Sequence, residues 1–146
     1  MHKANPLHVD KAKIALYEIR FMHCSHCGIC CTETEMLLSK EDIKRIEQKG
    51  FRKKYFLKID KNGYAQLKNH DGYCVFYNIE KHQCNIYPDK PSGCSVYPVI
   101  LDEEIGIIID DICPEKTTIT PKEKEEKGKT VINLLKIIDT EAKNRC

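Results

Sequence analysis

Four cysteines within eight residues constrain this chain more than any other feature. The segment Cys24-Ser-His-Cys27-Gly-Ile-Cys30-Cys31 reads C-x2-C-x2-C-C. Thiols this crowded have little use in packing, where a cysteine acts as a small hydrophobe. They have an obvious use around a metal. A C-x2-C pair in a tight turn sets two sulfurs on one face, and Gly28 lets backbone amides approach the sulfurs and offset their charge. Gly28 and the adjacent thiols suit no regular element, so a loop or tight turn is predicted here.

Four further cysteines, Cys74, Cys84, Cys94 and Cys113, lie downstream, and Cys146 brings the total to nine among 146 residues. An odd total suits a closed disulfide framework poorly. The opening Met1-His-Lys-Ala-Asn-Pro6 lacks the apolar stretch of a secretory leader, so the expected compartment is the reducing cytoplasm, where dense cysteines read as metal ligands. The candidate ligands are therefore Cys24, Cys27, Cys30, Cys31, Cys74, Cys84, Cys94 and Cys113. Cys146 is expected to be a bystander. Eight thiolates fill two tetrahedral zinc sites, or hold one [4Fe–4S] cluster with four to spare. C-x2-C-x2-C matches the start of the bacterial ferredoxin run, with only a weak echo of its end in the remote and common dipeptide Cys113-Pro114; that spacing, with more thiols than one zinc site takes, favours iron–sulfur. Side chains of neighbouring residues diverge, so Cys30 and Cys31 are expected to serve different sites, or only one of them to bind. His23 and His26 are read as exposed loop residues rather than ligands. Nearby Lys40, Lys44, Arg45 or Lys90 could offset part of the charge of an anionic site.

The remainder reads as a small single α+β domain spanning 1–146, with a β-rich centre of short turns and a motif core at 21–114. The segment 6–13 is read as a short helix or irregular arm. A strand over Ile14–Met22 is predicted to deliver the chain to Cys24, since Tyr17, Ile19 and Phe21 alternate with Glu18 and Arg20. Ser39 to Gly50 carries the marks of a helix: Ser39 as N-cap, Asp42 at capping-box spacing, Ile43 and Ile46 facing inward, Gly50 at the left-handed terminus. Tyr55–Ile59 and Tyr64–Leu67 flank Asp60-Lys-Asn-Gly63, a hairpin signal, and Asn69-His-Asp-Gly72 turns the chain again into Tyr73–Tyr77. The prolines and glycine between Cys84 and Pro98 predict short turns. Val99–Leu101 and Ile105–Ile109 form a further hairpin. A C-terminal helix over about 121–143 starts at Thr120 and Pro121 with Glu123 at a second capping-box position. Its first part, Lys122–Lys127, is all charged and expected in solvent; Val131, Leu134, Leu135 and Ile138 make its docking stripe.

Charge is nearly balanced at +2, which excludes a strongly basic or acidic tail. No apolar run approaches the roughly 20 residues of a membrane span. Lys49, Arg52, Lys53 and Lys54 beside Tyr55 and Phe56 form a short basic patch, read as a solvated helix end in preference to a nucleic-acid contact. Asp102-Glu-Glu104 and Asp110-Asp111 are read as turn formers. There is no glycine-rich phosphate loop, G-x-S-x-G or H-E-x-x-H.

The order of these residues resembles the CxxCxxCC family of zinc- or iron-chelating domains, the cysteine cluster proteins of bacteria and archaea. The resemblance rests on Phe21-Met-His-Cys24-x2-Cys27-Gly28-x-Cys30-Cys31, Leu38-Ser39-x2-Asp42-Ile43-x-Arg45-Ile46, Asp71-Gly72-x-Cys74-x-Phe76, Cys84-x-Ile86-Tyr87-x3-Pro91-x2-Cys94 and Tyr97-Pro98. It implies metal chelation by these cysteines. The family is similar to a domain of flagellin lysine N-methylases, which keeps an iron–sulfur-dependent protein-modifying enzyme as an alternative, beside a zinc-stabilised module that binds nucleic acid or protein. An Arg usually precedes Pro91 in the family and often follows the next cysteine. This chain has Lys90 and Ser95, so bidentate guanidinium contacts to an anion are not expected there.

Overall fold

A computed structural model describes residues 31–113 and 115–146. The predicted arm at 6–13, the strand over 14–22 and Cys24, Cys27 and Cys30 lie outside the described residues. The described chain is a mixed α+β protein, with four α-helices and short antiparallel strand pairs.

Helix α1 (Lys40–Gln48) begins as expected. The Ser39 hydroxyl accepts from the Asp42 amide, and the Asp42 carboxylate accepts from the Ser39 amide. Lys49 ends the helix, and Gly50 follows with φ +101°, a conformation that costs a residue with a Cβ about 1–2 kcal/mol. Ile43 and Ile46 are buried, and burying each such side chain is worth roughly 1.5–3 kcal/mol.

The next segment differs from expectation. Residues Lys53–Phe56 make a one-turn helix, α2, and the strand β1 starts only at Leu57 (Leu57–Ile59). Coiling the chain here buries Phe56 completely, beside Phe76 at 5.9 Å between ring centroids. One aromatic of the basic patch therefore belongs to the core. Strand β1 pairs with β2 (Ala65–Leu67). Asp60 closes their turn by accepting from the Asn62 and Tyr64 amides.

Residues 36–38 run along the other side of β2, with the Leu67 amide donating to Met36 and the Leu38 amide to Ala65. Side chains alternate along an extended segment. Met36 and Leu38 enter one apolar core, with Ile43, Ile46, Phe56, Leu67 and Phe76, while Leu37 enters a second, with Val96, Val99 and the last helix.

Two minimal hairpins follow: β3 (Asn69–His70) with β4 (Tyr73–Cys74), and β5 (Tyr77–Asn78) with β6 (Gln83–Cys84). Then come a 3-10 turn at Tyr87–Asp89 and the short helix α3 (Ser92–Val96). The expected last hairpin is β7 (Val99–Asp102) with β8 (Gly106–Ile109), its turn held by Asp102 accepting from the Glu104 and Ile105 amides.

Helix α4 (Pro121–Arg145) is capped by Thr120, which accepts from the Glu123 amide. Val131, Leu134, Leu135 and Ile138 are buried as predicted. The expectation that Lys122–Lys127 is solvated fails at two positions. Glu123 and Lys127 are fully buried, with Lys127 Nζ 2.9 Å from Glu123 Oε2. The two stand at i and i+4, so one helix face carries both charges inward together. Charge attraction, rather than an aligned hydrogen bond, holds them.

The far end of α4 fastens the first hairpin. Arg145 donates to the Gly63 carbonyl, and the Tyr64 hydroxyl donates to Asp139 at 2.6 Å. The Tyr64 pKa is pushed up to about 12 by that hydrogen bond, by burial, and by the negative charges of Asp139 and Asp60. The folded state thus favours the neutral phenol. The stability this contact brings is full below pH ~10, the ordinary tyrosine value, and is lost as pH rises through about 12.

Two outcomes follow for stability. Gly63 has φ +90°, and a Cβ there would collide with the Ala142 carbonyl oxygen. Gly63→Ala should therefore cost about 2 kcal/mol or more in urea unfolding. Lys127→Met alone strands a buried carboxylate and should cost about 3–5 kcal/mol, whereas Glu123→Leu/Lys127→Met should recover most of that loss. A double variant no more stable than the single one would contradict the buried-pair account.

Candidate metal centre

The cysteine positions are set by backbone pairing. Thr32 makes an isolated antiparallel bridge to Tyr73, which brings the residue after Cys31 against the residue before Cys74. The bridge is reinforced on its far side. The Glu33 amide donates to the Gly72 carbonyl at 2.7 Å. Asn69 accepts from the Thr34 amide and donates to the Thr34 carbonyl. The turn opposite is Asp71-Gly72, with φ of +52° and +85°, which Gly72 adopts without a steric penalty. The motif Asp71-Gly72-x-Cys74 thus sets Tyr73 against Thr32, next to Cys31, and places Cys74 across from Asn69.

Cys84 lies across from Tyr77 in the next hairpin, and the Asn85 amide donates to the Phe76 carbonyl. Cys94 sits on α3. Cys74 is buried, while Cys31, Cys84 and Cys94 are half-buried, and all four pack on the first apolar core. Four of the predicted ligands are thereby gathered on one core. Cys113 is held differently. Its amide donates to the Asp110 carbonyl, and the Asp110 carboxylate accepts from the Tyr97 hydroxyl at 2.5 Å, just beyond the Cys94 helix. Asp110 is therefore more than the turn former expected: it is buried and ties the Cys113 turn to Tyr97. Cys146 is exposed at the end of α4.

The donor chemistry suits zinc or an iron–sulfur cluster, which take thiolate sulfur. No disulfide joins any two of the described cysteines. Among the described residues, no group of three or more His, Cys, Asp or Glu side chains stands close enough to hold an ion. Cys24, Cys27 and Cys30 are outside that set.

Helix α1 reaches into the segment between Cys84 and Cys94. Asp42 Oδ1 accepts from the Ser92 amide at 2.9 Å, the Ser92 hydroxyl at 2.8 Å and Arg45 Nη2 at 2.7 Å. Arg45 also donates to the Lys90 carbonyl at 2.9 Å and the Asp89 carbonyl at 3.4 Å. Lys49 pairs with Asp89 at 3.3 Å. Lys90 itself is buried, with Nζ 3.6 Å from the centre of the Tyr87 ring, a cation–π contact. The sequence marks Asp42 as a cap and as part of the family motif with Arg45, and gives no sign of its bond to Ser92.

A family described as "Putative zinc- or iron-chelating domain", CxxCxxCC, matches residues 23–131. The chain belongs to the CxxCxxCC family. It is also similar to the uncharacterized protein MJ0661 of Methanocaldococcus jannaschii, at 32% identity over 83 residues, 52% of this chain and 43% of the relative. The chain thus spans less than half the length of that curated relative. No solved structure matches it. No helix among the described residues is long and apolar enough to cross a membrane.

Proposed function

We propose that this protein is a small cytoplasmic metal-binding protein in which cysteine thiolates hold an iron–sulfur cluster, drawn from Cys24, Cys27, Cys30, Cys31, Cys74, Cys84, Cys94 and Cys113. What supports the reading most is that Cys31, Cys74, Cys84 and Cys94, far apart in sequence, pack on one core in a family of metal-chelating domains. The thiol count favours a cluster over a single zinc, since one zinc takes four ligands and this chain has twice that number available. Once bound, a cluster supplies an electron-transfer centre whose potential is set by burial, by hydrogen bonds to sulfur and by nearby charge. The chain's own contribution is to hold the thiols at the apolar surface and to keep the buried Lys90 on the loop between two of them.

The test is iron, zinc and acid-labile sulfide per chain after anaerobic purification. Iron with matching sulfide is expected. Zinc without sulfide would retain chelation and replace the cluster by a structural zinc. Neither metal in a folded chain would overturn the reading. Replacing Cys74 or Cys94 by Ser should lower the bound metal, whereas Cys146→Ser should leave it unchanged.

A further inference from the structure

We infer that Asp42 and Ser92 form a positioning clamp for the metal centre, setting the Cys84–Cys94 loop against the chain that leads from Cys31. The inference rests on the chelation reading above. Its observations lie in the described residues.

The Asp42 side chain is fully buried. An ionised carboxylate in such a place is costly unless its oxygens are satisfied. Here they are. Oδ2 accepts from the Ser39 amide, and Oδ1 accepts from the Ser92 amide, the Ser92 hydroxyl and Arg45. These donors come from separate parts of the chain. Ser39 ends the stretch that begins at Cys31 and is pinned to β2 by Leu38. Ser92 opens α3, two residues before Cys94, whose own amide donates to the Pro91 carbonyl. One carboxylate thus fixes the approach to Cys31 and the approach to Cys94 in a common frame. Arg45 extends the grip to the Asp89 and Lys90 carbonyls, so the loop from Cys84 to Cys94 is held from one helix over consecutive residues.

A helix cap alone would require only Ser39 and Asp42. The second oxygen, turned to Ser92, contributes nothing to the cap. Its effect is to remove freedom from the short segment that joins Cys84 on β6 to Cys94 on α3. A site whose donors come from distant segments must have them ordered on binding, and prior ordering raises affinity. Groups hydrogen-bonded to metal ligands typically change affinity 10–100-fold, and residues that order the ligand-bearing segment from one step further out are expected at the lower end of that range.

The full chain, loaded with zinc, is titrated against a competing chelator, and its cobalt-substituted form is followed by absorbance. Ser92→Ala should weaken zinc retention by roughly tenfold and shift the cobalt ligand-field bands, because the sulfurs sit less regularly. Ser92→Thr, which keeps the hydroxyl, should restore both. Asp42→Asn is the second variant, nearly isosteric, and should behave as Ser92→Ala or worse. Far-UV circular dichroism establishes that each is folded. Variants with wild-type affinity and wild-type cobalt bands overturn the inference and leave the chelation reading standing. So does a loss of affinity that follows melting temperature while the cobalt bands stay unchanged. A wild-type chain that takes up neither zinc, cobalt nor iron overturns both.

Discussion

A buried carboxylate that must satisfy its oxygens organises the cysteine-bearing half of this protein. Asp42 lies where water cannot reach it, and leaving any of its partners out would cost the desolvation of a charge. Because its donors are Ser39, Arg45 and Ser92, the requirement links helix α1 to two other segments at once. Most elements in this half are too short to define themselves: hairpins of two-residue strands and a single helical turn. An isolated hairpin is marginal in water even when longer. Such pieces hold position through what they pack on and what ties them, and the tie is polar.

The apolar side of the same arrangement is a pair of cores that share one strand-like segment. Met36 and Leu38 go to one, Leu37 to the other. Since side chains alternate, a slip of one residue would exchange both sets, so the register of 36–38 against β2 is strongly specified. Upstream of it, Thr32 bridges Tyr73, which sets the neighbours of Cys31 and Cys74 against one another. The second core, with the long helix α4 laid on β7 and β8, carries the burial of ordinary aliphatic side chains. The same helix α4 also buries the Glu123–Lys127 pair.

Much of this was legible in the residues. Helix α1 and its cap followed from Ser39, Asp42 and Gly50, and the hairpins from Asp60–Gly63 and Asp71-Gly72, because caps and tight turns are local chemistry. The stripe on α4 was legible from its period. What escaped was decided at long range. Lys122–Lys127 reads as solvated by composition, yet Glu123 and Lys127 neutralise one another and are carried inside. Phe56 reads as part of an exposed basic patch, yet it faces Phe76 and fills the core. Asp110 reads as a turn residue, yet a partner thirteen residues upstream, Tyr97, draws it in. Type and crowding marked the cysteines as candidate donors. Their sharing of one core was not, since it depends on pairings between segments that spacing does not encode.

The central claim is that cysteine thiolates, gathered on one core, bind a metal. X-ray absorption at the edge of whichever metal the purified chain contains tests it most directly. The account predicts a first coordination shell of sulfur alone, near 2.3 Å for either zinc or an iron–sulfur cluster, with a further iron shell if a cluster is present. A shell dominated by nitrogen or oxygen would contradict it.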